Sequence, residues 1–125
     1  MKIAVMAEGP NRNSAVDPHF ARALYFVLVD IENNDFTVRG NANVQQTQYL
    51  AGTQAAGLLI SLGVEAVITT NIGPRAFETL KSAKVRVFRT TPASAEEAVE
   101  LFKTGQLAEL SNANVEEHRP QHGKA

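Results

Sequence analysis

The chain has no cysteine. This excludes a disulfide framework, a thiolate nucleophile and thiolate ligation of a metal, so an inorganic group bound here would have to be held by other means. Nor does one sign of charge dominate: 12 Lys and Arg stand against 13 Asp and Glu. Bulk charge therefore selects neither nucleic acid nor another polyanion, and any anion site must be local. No apolar run reaches the length of a membrane span, and the opening MKIAVMA is too short for a signal peptide. The chain reads as cytoplasmic. Phosphate fingerprints are missing as well: AGTQAAG, at the opening of the first helical pattern, has neither the Gly-Lys-Ser/Thr end of a Walker sequence nor GxGxxG spacing. Ser14 and Ser94 have no surroundings in sequence that would supply an activating His and Asp. Nothing among these residues points to an enzyme.

What is present suits one globular domain. The 125 residues, 44% hydrophobic and 20% charged, suffice to bury a core without a covalent staple. Residues 1–110 read as a single α/β domain. Residues 111–125 are polar throughout and read as a flexible C-terminal tail.

Lys2 to Ala7 (KIAVMA) is an apolar run ended by Glu8-Gly9-Pro10, which suits a central strand. A long first loop of turn formers follows. Leu24 to Ile31 and Asp35 to Gly40 read as two strands joined by a tight antiparallel hairpin at Glu32-Asn33-Asn34-Asp35, because Asn tolerates positive φ. Gly52 to Leu62 places Ala55, Ala56, Leu58, Leu59 and Leu62 on one helical face, with Gly63 as a left-handed stop. Val64 to Thr69 is a second buried strand, followed by a helix from Pro74 to Ser82 and a strand from Val85 to Phe88. Ser94 with Glu97 forms a capping box that opens the last helix, which ends near Lys103-Thr104-Gly105. The pattern βββαβαβα predicts a three-layer α/β fold. Right-handed crossovers favour a five-stranded mixed sheet in an order such as 3-2-1-4-5, with the second strand antiparallel and helices on both faces. This is the ribonuclease-H-like arrangement, which periodicity alone does not separate from other three-layer orders. A nuclease of that fold needs carboxylates on its central strands to bind metal, and KIAVMA supplies none.

In this order the first and fourth strands end at one edge, where ligands of open α/β sheets bind. The loops meeting there carry Arg12, His19, Arg22, Arg75 and Arg89 against Glu8 and Asp17. At the junction TTNIGPRAF, Pro74 suits the first helical turn and Gly73 suits a sharp departure from the strand. The amides of such a helix start favour an anion, and Arg75 adds a charged fork. The plain alternative is a well-made turn with Arg75 covering a neighbouring face. His19 reads either as a rim ligand for a metal or as a loop residue packed beside Phe20. His118 and His122, spaced i, i+4, read either as a metal pair or as part of a solvated tail.

MKIAVMAEG, DPHFARALYFVLVD, QAAGLLISLGVEAVITTNIGPRAFETL and AEEAVELFKTGQL together resemble the dinitrogenase iron-molybdenum cofactor biosynthesis family, from Met1 to about Leu110. The block from strand through IGPRAF to helix is the most specific part. The resemblance implies a ribonuclease-H-like fold without nuclease residues, and non-enzymatic binding or carriage of an anionic metal-sulfur cluster. Among the family's stand-alone members, the likeness is to those that hold a sulfide-bridged molybdenum-copper cluster without a covalent link. An iron-molybdenum cofactor or its precursor is the alternative cargo. A cluster that brings its own sulfides needs no Cys, and backbone N–H groups, Arg and an apolar wall are able to hold it. The residues so implied are Asn71, Ile72, Gly73, Pro74, Arg75, Arg22, His19 and Arg12, in a chain taken as a monomer. The chain departs from the family pattern in Phe20-Ala21-Arg22, where Phe-Gly-Arg is common, and in Gln48 to Gly52, where a His-Gly-rich loop is common. Other readings are a regulatory module that binds a protein partner through the hairpin edge or the tail, and a nucleotide-binding domain, against which the missing phosphate motifs argue.

Overall fold

A computed structural model describes residues 1–41 and 48–114, with residues 48–50 described at the backbone only. The apolar run of the N-terminus forms β1 (Lys2–Ala7), and Ile3 to Ala7 are wholly removed from solvent. After it come β2 (Tyr25–Asp30), β3 (Asp35–Gly40), α1 (Gln48–Ser61), β4 (Ala66–Thr69), α2 (Pro74–Ser82), β5 (Arg86–Arg89), α3 (Ala95–Lys103) and β6 (Ala108–Glu109). They build one sheet in the order β3-β2-β1-β4-β5-β6. Strand β2 is antiparallel to both neighbours, β1, β4 and β5 run parallel, and β6 is antiparallel to β5.

Alternation along β1 explains the three layers. Ala4 and Met6 face α1 and α2, joined there by Phe26, Val67 and Val87 from the sheet and by Leu59, Phe77 and Leu80 from the helices. Ile3, Val5 and Ala7 face α3, with Val27, Val29, Ile68 and Phe88 around Ala95, Ala98 and Val99. A strand covered on both faces has to be apolar at consecutive positions, which is why KIAVMA shows no alternation.

The local signals act as expected at several points. Asn34 takes φ 59° in the β2–β3 turn and donates its N–H to the Asp30 carbonyl at 2.7 Å. Gly63 takes φ 80° after α1. Ser94 Oγ accepts from the Glu97 N–H at 3.1 Å, and Glu97 Oε1 accepts from the Ser94 N–H at 2.9 Å, closing the capping box of α3. No helix among the described residues is long and apolar enough to cross a membrane.

Strands β2, β4 and β5 lie within two residues of the expected bounds, and two features depart further. Helix α1 begins at Gln48, a turn before Gly52. Gly52 reads as a start in one dimension, but in the fold its missing side chain serves close packing inside the helix: a Cβ there would lie 3.3 Å from Ala76 Cβ and 3.5 Å from Ala21 Cβ. The sheet also has six strands where five were expected. Strand β6 spans two exposed residues, too few for any periodicity to announce, and tertiary bonds hold it. The Leu110 N–H donates to the Val87 carbonyl at 2.8 Å, and Arg86 donates from Nε (3.1 Å) and Nη2 (2.8 Å) to the two Glu109 carboxylate oxygens.

That fork holds the Glu109 carboxyl below its ordinary range through the Arg86 hydrogen bonds, partly opposed by desolvation. A depressed carboxylate pKa is a stabilising contribution present above the ordinary carboxylate range and lost as pH falls through the folded value. Here it is small, because both partners are exposed. Arg86→Ala should move the Glu109 midpoint up toward the ordinary carboxylate value in an NMR pH titration. An unmoved midpoint would show that the fork does not form in solution.

Candidate functional site

The first loop does not hang free between β1 and β2. Its first half is sewn to the β5–α3 connection: the Val16 N–H donates to the Ala93 carbonyl (2.9 Å) and the Ala95 N–H to the Ser14 carbonyl (2.8 Å). Its second half crosses to the β4–α2 junction. The Phe20 N–H donates to the Asn71 carbonyl (3.0 Å), and Asn71 Nδ2 returns a bond to the Pro18 carbonyl (2.9 Å). Phe20 anchors this crossing, 2% exposed in the same core as Ile72 and Phe77.

These bonds bring several candidate residues together. Asn71 ties the loop to the junction through its side chain and its carbonyl. His19 lies inside the tied segment. Its N–H donates to Asp17 Oδ1 at 2.9 Å while the residue stays exposed, and Asp17 is buried. Arg22 is exposed directly after Ala21, which lies against Gly52 of α1. Both α1 and α2 begin at this edge and touch through Gly52 and Ala76, so the positive ends of two helix dipoles lie side by side.

Helix α2 starts as the sequence predicts, with Gly73 as N-cap, Pro74 in the first turn and Arg75 exposed behind it. The role of Gly73 differs from the expectation. Its φ of −83° and ψ of 172° are ordinary extended backbone, so no left-handed turn demands glycine. A Cβ there would meet no atom within 4 Å among the described residues. Packing among the described residues therefore does not require glycine at this position. Among the described residues no side chain caps α2, and its first turn contains no acidic residue, whereas α3 has the Ser94 box and both Glu96 and Glu97. A helix start with no carboxylate and with a guanidinium in its first turn favours an anion.

Other candidates lie elsewhere. Arg12 is engaged on the α3 side: its guanidinium lies 4.1 Å over the Phe36 ring, and Nη2 pairs with Glu96 Oε2 at 3.3 Å. Ile72 is buried at 1%, and its N–H donates to Asn114 Oδ1 at 2.8 Å, so it shapes the junction more than it offers a donor. His118 and His122 lie outside the described residues. Among the described residues no group of three or more His, Asp or Glu could hold a metal ion. Asn114 is the residue that sequence reasoning missed. A single Asn in the polar run SNAN carries no period or motif that would set it apart.

The close approach of Gly52 predicts a cost. Gly52→Val should destabilise the protein by about 1–3 kcal/mol in urea unfolding through overpacking against Ala76 and Ala21. A wild-type midpoint would show that α1 and α2 do not approach so closely.

Comparison with known proteins gives the following. The model of the family "Dinitrogenase iron-molybdenum cofactor" matches residues 1–105. An uncharacterized protein of Methanocaldococcus jannaschii is 33% identical over 111 residues, covering 86% of this chain and 89% of that protein. The apo form of the orange protein from Desulfovibrio gigas superposes with a TM-score of 0.87 at 34% identity, covering 91% of this chain and 96% of its own. A NifB-like protein of Thermotoga, solved by NMR, superposes with a TM-score of 0.78 at 36% identity, covering 91% and 97%.

Proposed function

The chain belongs to the dinitrogenase iron-molybdenum cofactor family, and from that premise we propose that it binds and carries an anionic metal-sulfur cluster at the junction of β4 and α2, without catalysing a reaction. The observation that carries the reading is Gly73. A capping side chain there would add only about a few tenths of a kcal/mol over glycine, itself a favoured N-cap, yet neither the backbone angles nor the described residues around the position require glycine. What a bare position does allow is close approach of another molecule to the backbone. With the dipole of α2 behind it and Arg75 beside it, that molecule is an anion.

The finer reading is a sulfide-bridged molybdenum-copper cluster, with an iron-molybdenum cofactor or precursor as the alternative. Both bring their own sulfides, in keeping with a chain that has no Cys. In this reading the Gly73 and first-turn amides of α2 donate to the cluster, Arg75 and Arg22 balance its charge, and His19 and Asn71 complete the rim. Pro74 contributes by fixing φ at the helix start, where its missing N–H costs no bond.

Mixing the protein anaerobically with tetrathiomolybdate and a copper salt should give a coloured species in which both metals co-elute with protein after desalting. If both elute only with small molecules, the molybdenum-copper reading fails. Gly73→Asp gives the sharper test, because it supplies the missing cap and a carboxylate together. Stability in urea should stay level or rise, while retention of the anion falls tenfold or more. Undiminished retention would remove the junction from the site. Arg75→Ala should weaken retention about tenfold at low salt and less at high salt.

A further inference from the structure

Residues 110–114, directly after β6, stay on the domain. Leu110 and Ala113 pack against the core shared with α1 and α2, and the chain reaches the candidate junction at Asn114. There one residue makes a set of bonds to three consecutive others. Asn114 Oδ1 accepts from the Ile72 N–H (2.8 Å), the Asn114 N–H donates to the Ile72 carbonyl (3.2 Å), and Nδ2 donates to the Thr70 carbonyl (2.9 Å) and, at 3.5 Å, toward Asn71 Oδ1. Asn71 is tied from the other side to Pro18 and Phe20. The peptides from Thr70 to Ile72 are thus gripped between the first loop and Asn114, and Gly73 is the next residue.

The chemistry of the grip is selective. A carboxamide satisfies a peptide N–H and a peptide C=O at once; Asp lacks the donor and Ala lacks both. Asn also adds no negative charge beside an anion. Because Oδ1 takes the Ile72 N–H, the donors left to a ligand begin at Gly73, and their direction depends on the peptide planes that Asn114 holds.

We propose that Asn114 is a positioning residue of the anion site, setting the backbone from which the Gly73 and α2 amides are presented; this rests on the anion-binding reading above. The segment from Leu110 to Asn114 is then a wall of the site.

The test compares full-length wild type, Asn114→Ala and Asn114→Asp by amide hydrogen exchange at Ile72 and by retention of molybdenum and copper supplied as tetrathiomolybdate and a copper salt. In N114A, Ile72 should exchange about tenfold faster and retention should fall about tenfold. In N114D the acceptor persists, so Ile72 exchange should stay within about threefold of wild type. Retention should nevertheless fall at least as far as in N114A, with a loss that shrinks at high salt. A purely structural role predicts instead that N114D restores both properties. Wild-type exchange at Ile72 in N114A overturns the grip. Fast exchange with undiminished retention overturns the positioning role while leaving the anion reading intact. If the wild type retains neither metal, the molybdenum-copper reading fails and the positioning role toward that cluster falls with it, although exchange at Ile72 still reports the grip. Should N114A not fold, N114D with wild-type retention at low salt is the overturning result.

Discussion

Strand β1 lies between an antiparallel neighbour, β2, and a parallel one, β4, and its residues from Ile3 to Ala7 have no exposure to solvent. Both faces of the sheet must therefore be covered, α1 and α2 on one side and α3 on the other. The parallel pairing of β1, β4 and β5 follows, since helical crossovers are what parallel neighbours require. With the strands parallel, their C-terminal ends share one edge. The first loop, the β4–α2 junction and the β5–α3 connection meet at that edge.

At the edge the chain treats its helix starts in two ways. For α3 the exposed amides are satisfied internally: Ser94 and Glu97 cap each other's backbone, and Glu96 and Glu97 stand against the dipole. For α2 neither device is present, and a guanidinium follows where a carboxylate would be stabilising. Arg12 belongs to the α3 side, where Glu96 and Phe36 engage it. The bare start of α2 thus differs in kind from its neighbour, and it is the start that the first loop and Asn114 together hold in place.

Holding a cluster by dipoles and charge has a physical consequence for a carrier. Covalent thiolate ligation gives tight binding but requires exchange of ligands for release, whereas amide donors and guanidinium groups release an anion when a better-matched site approaches or when salt screens the charge. Such a site needs a rigid backbone more than it needs reactive side chains, because amide donors cannot reorient without moving the chain. The bonds that fix residues 70–72 from both sides meet that need.

Periodicity and turn chemistry are local properties, and the elements they govern were legible. KIAVMA, the Asn34 turn, the Gly63 stop, Pro74 at the start of α2 and the Ser94 box each act within a few residues, and together they were enough for the strand order of the first five strands. The resemblance centred on IGPRAF pointed to the family. Only the tertiary structure decided the rest, because it depends on contacts between residues far apart in the chain. Gly52 looked like a helix start and proved to be a packing position against Ala76 and Ala21. Gly73 looked necessary for a turn, yet its backbone angles show that it is not. Strand β6 exists only through its pairing with β5 and the Arg86 fork, and Asn114 gains its place only by meeting a junction 42 residues earlier in the chain.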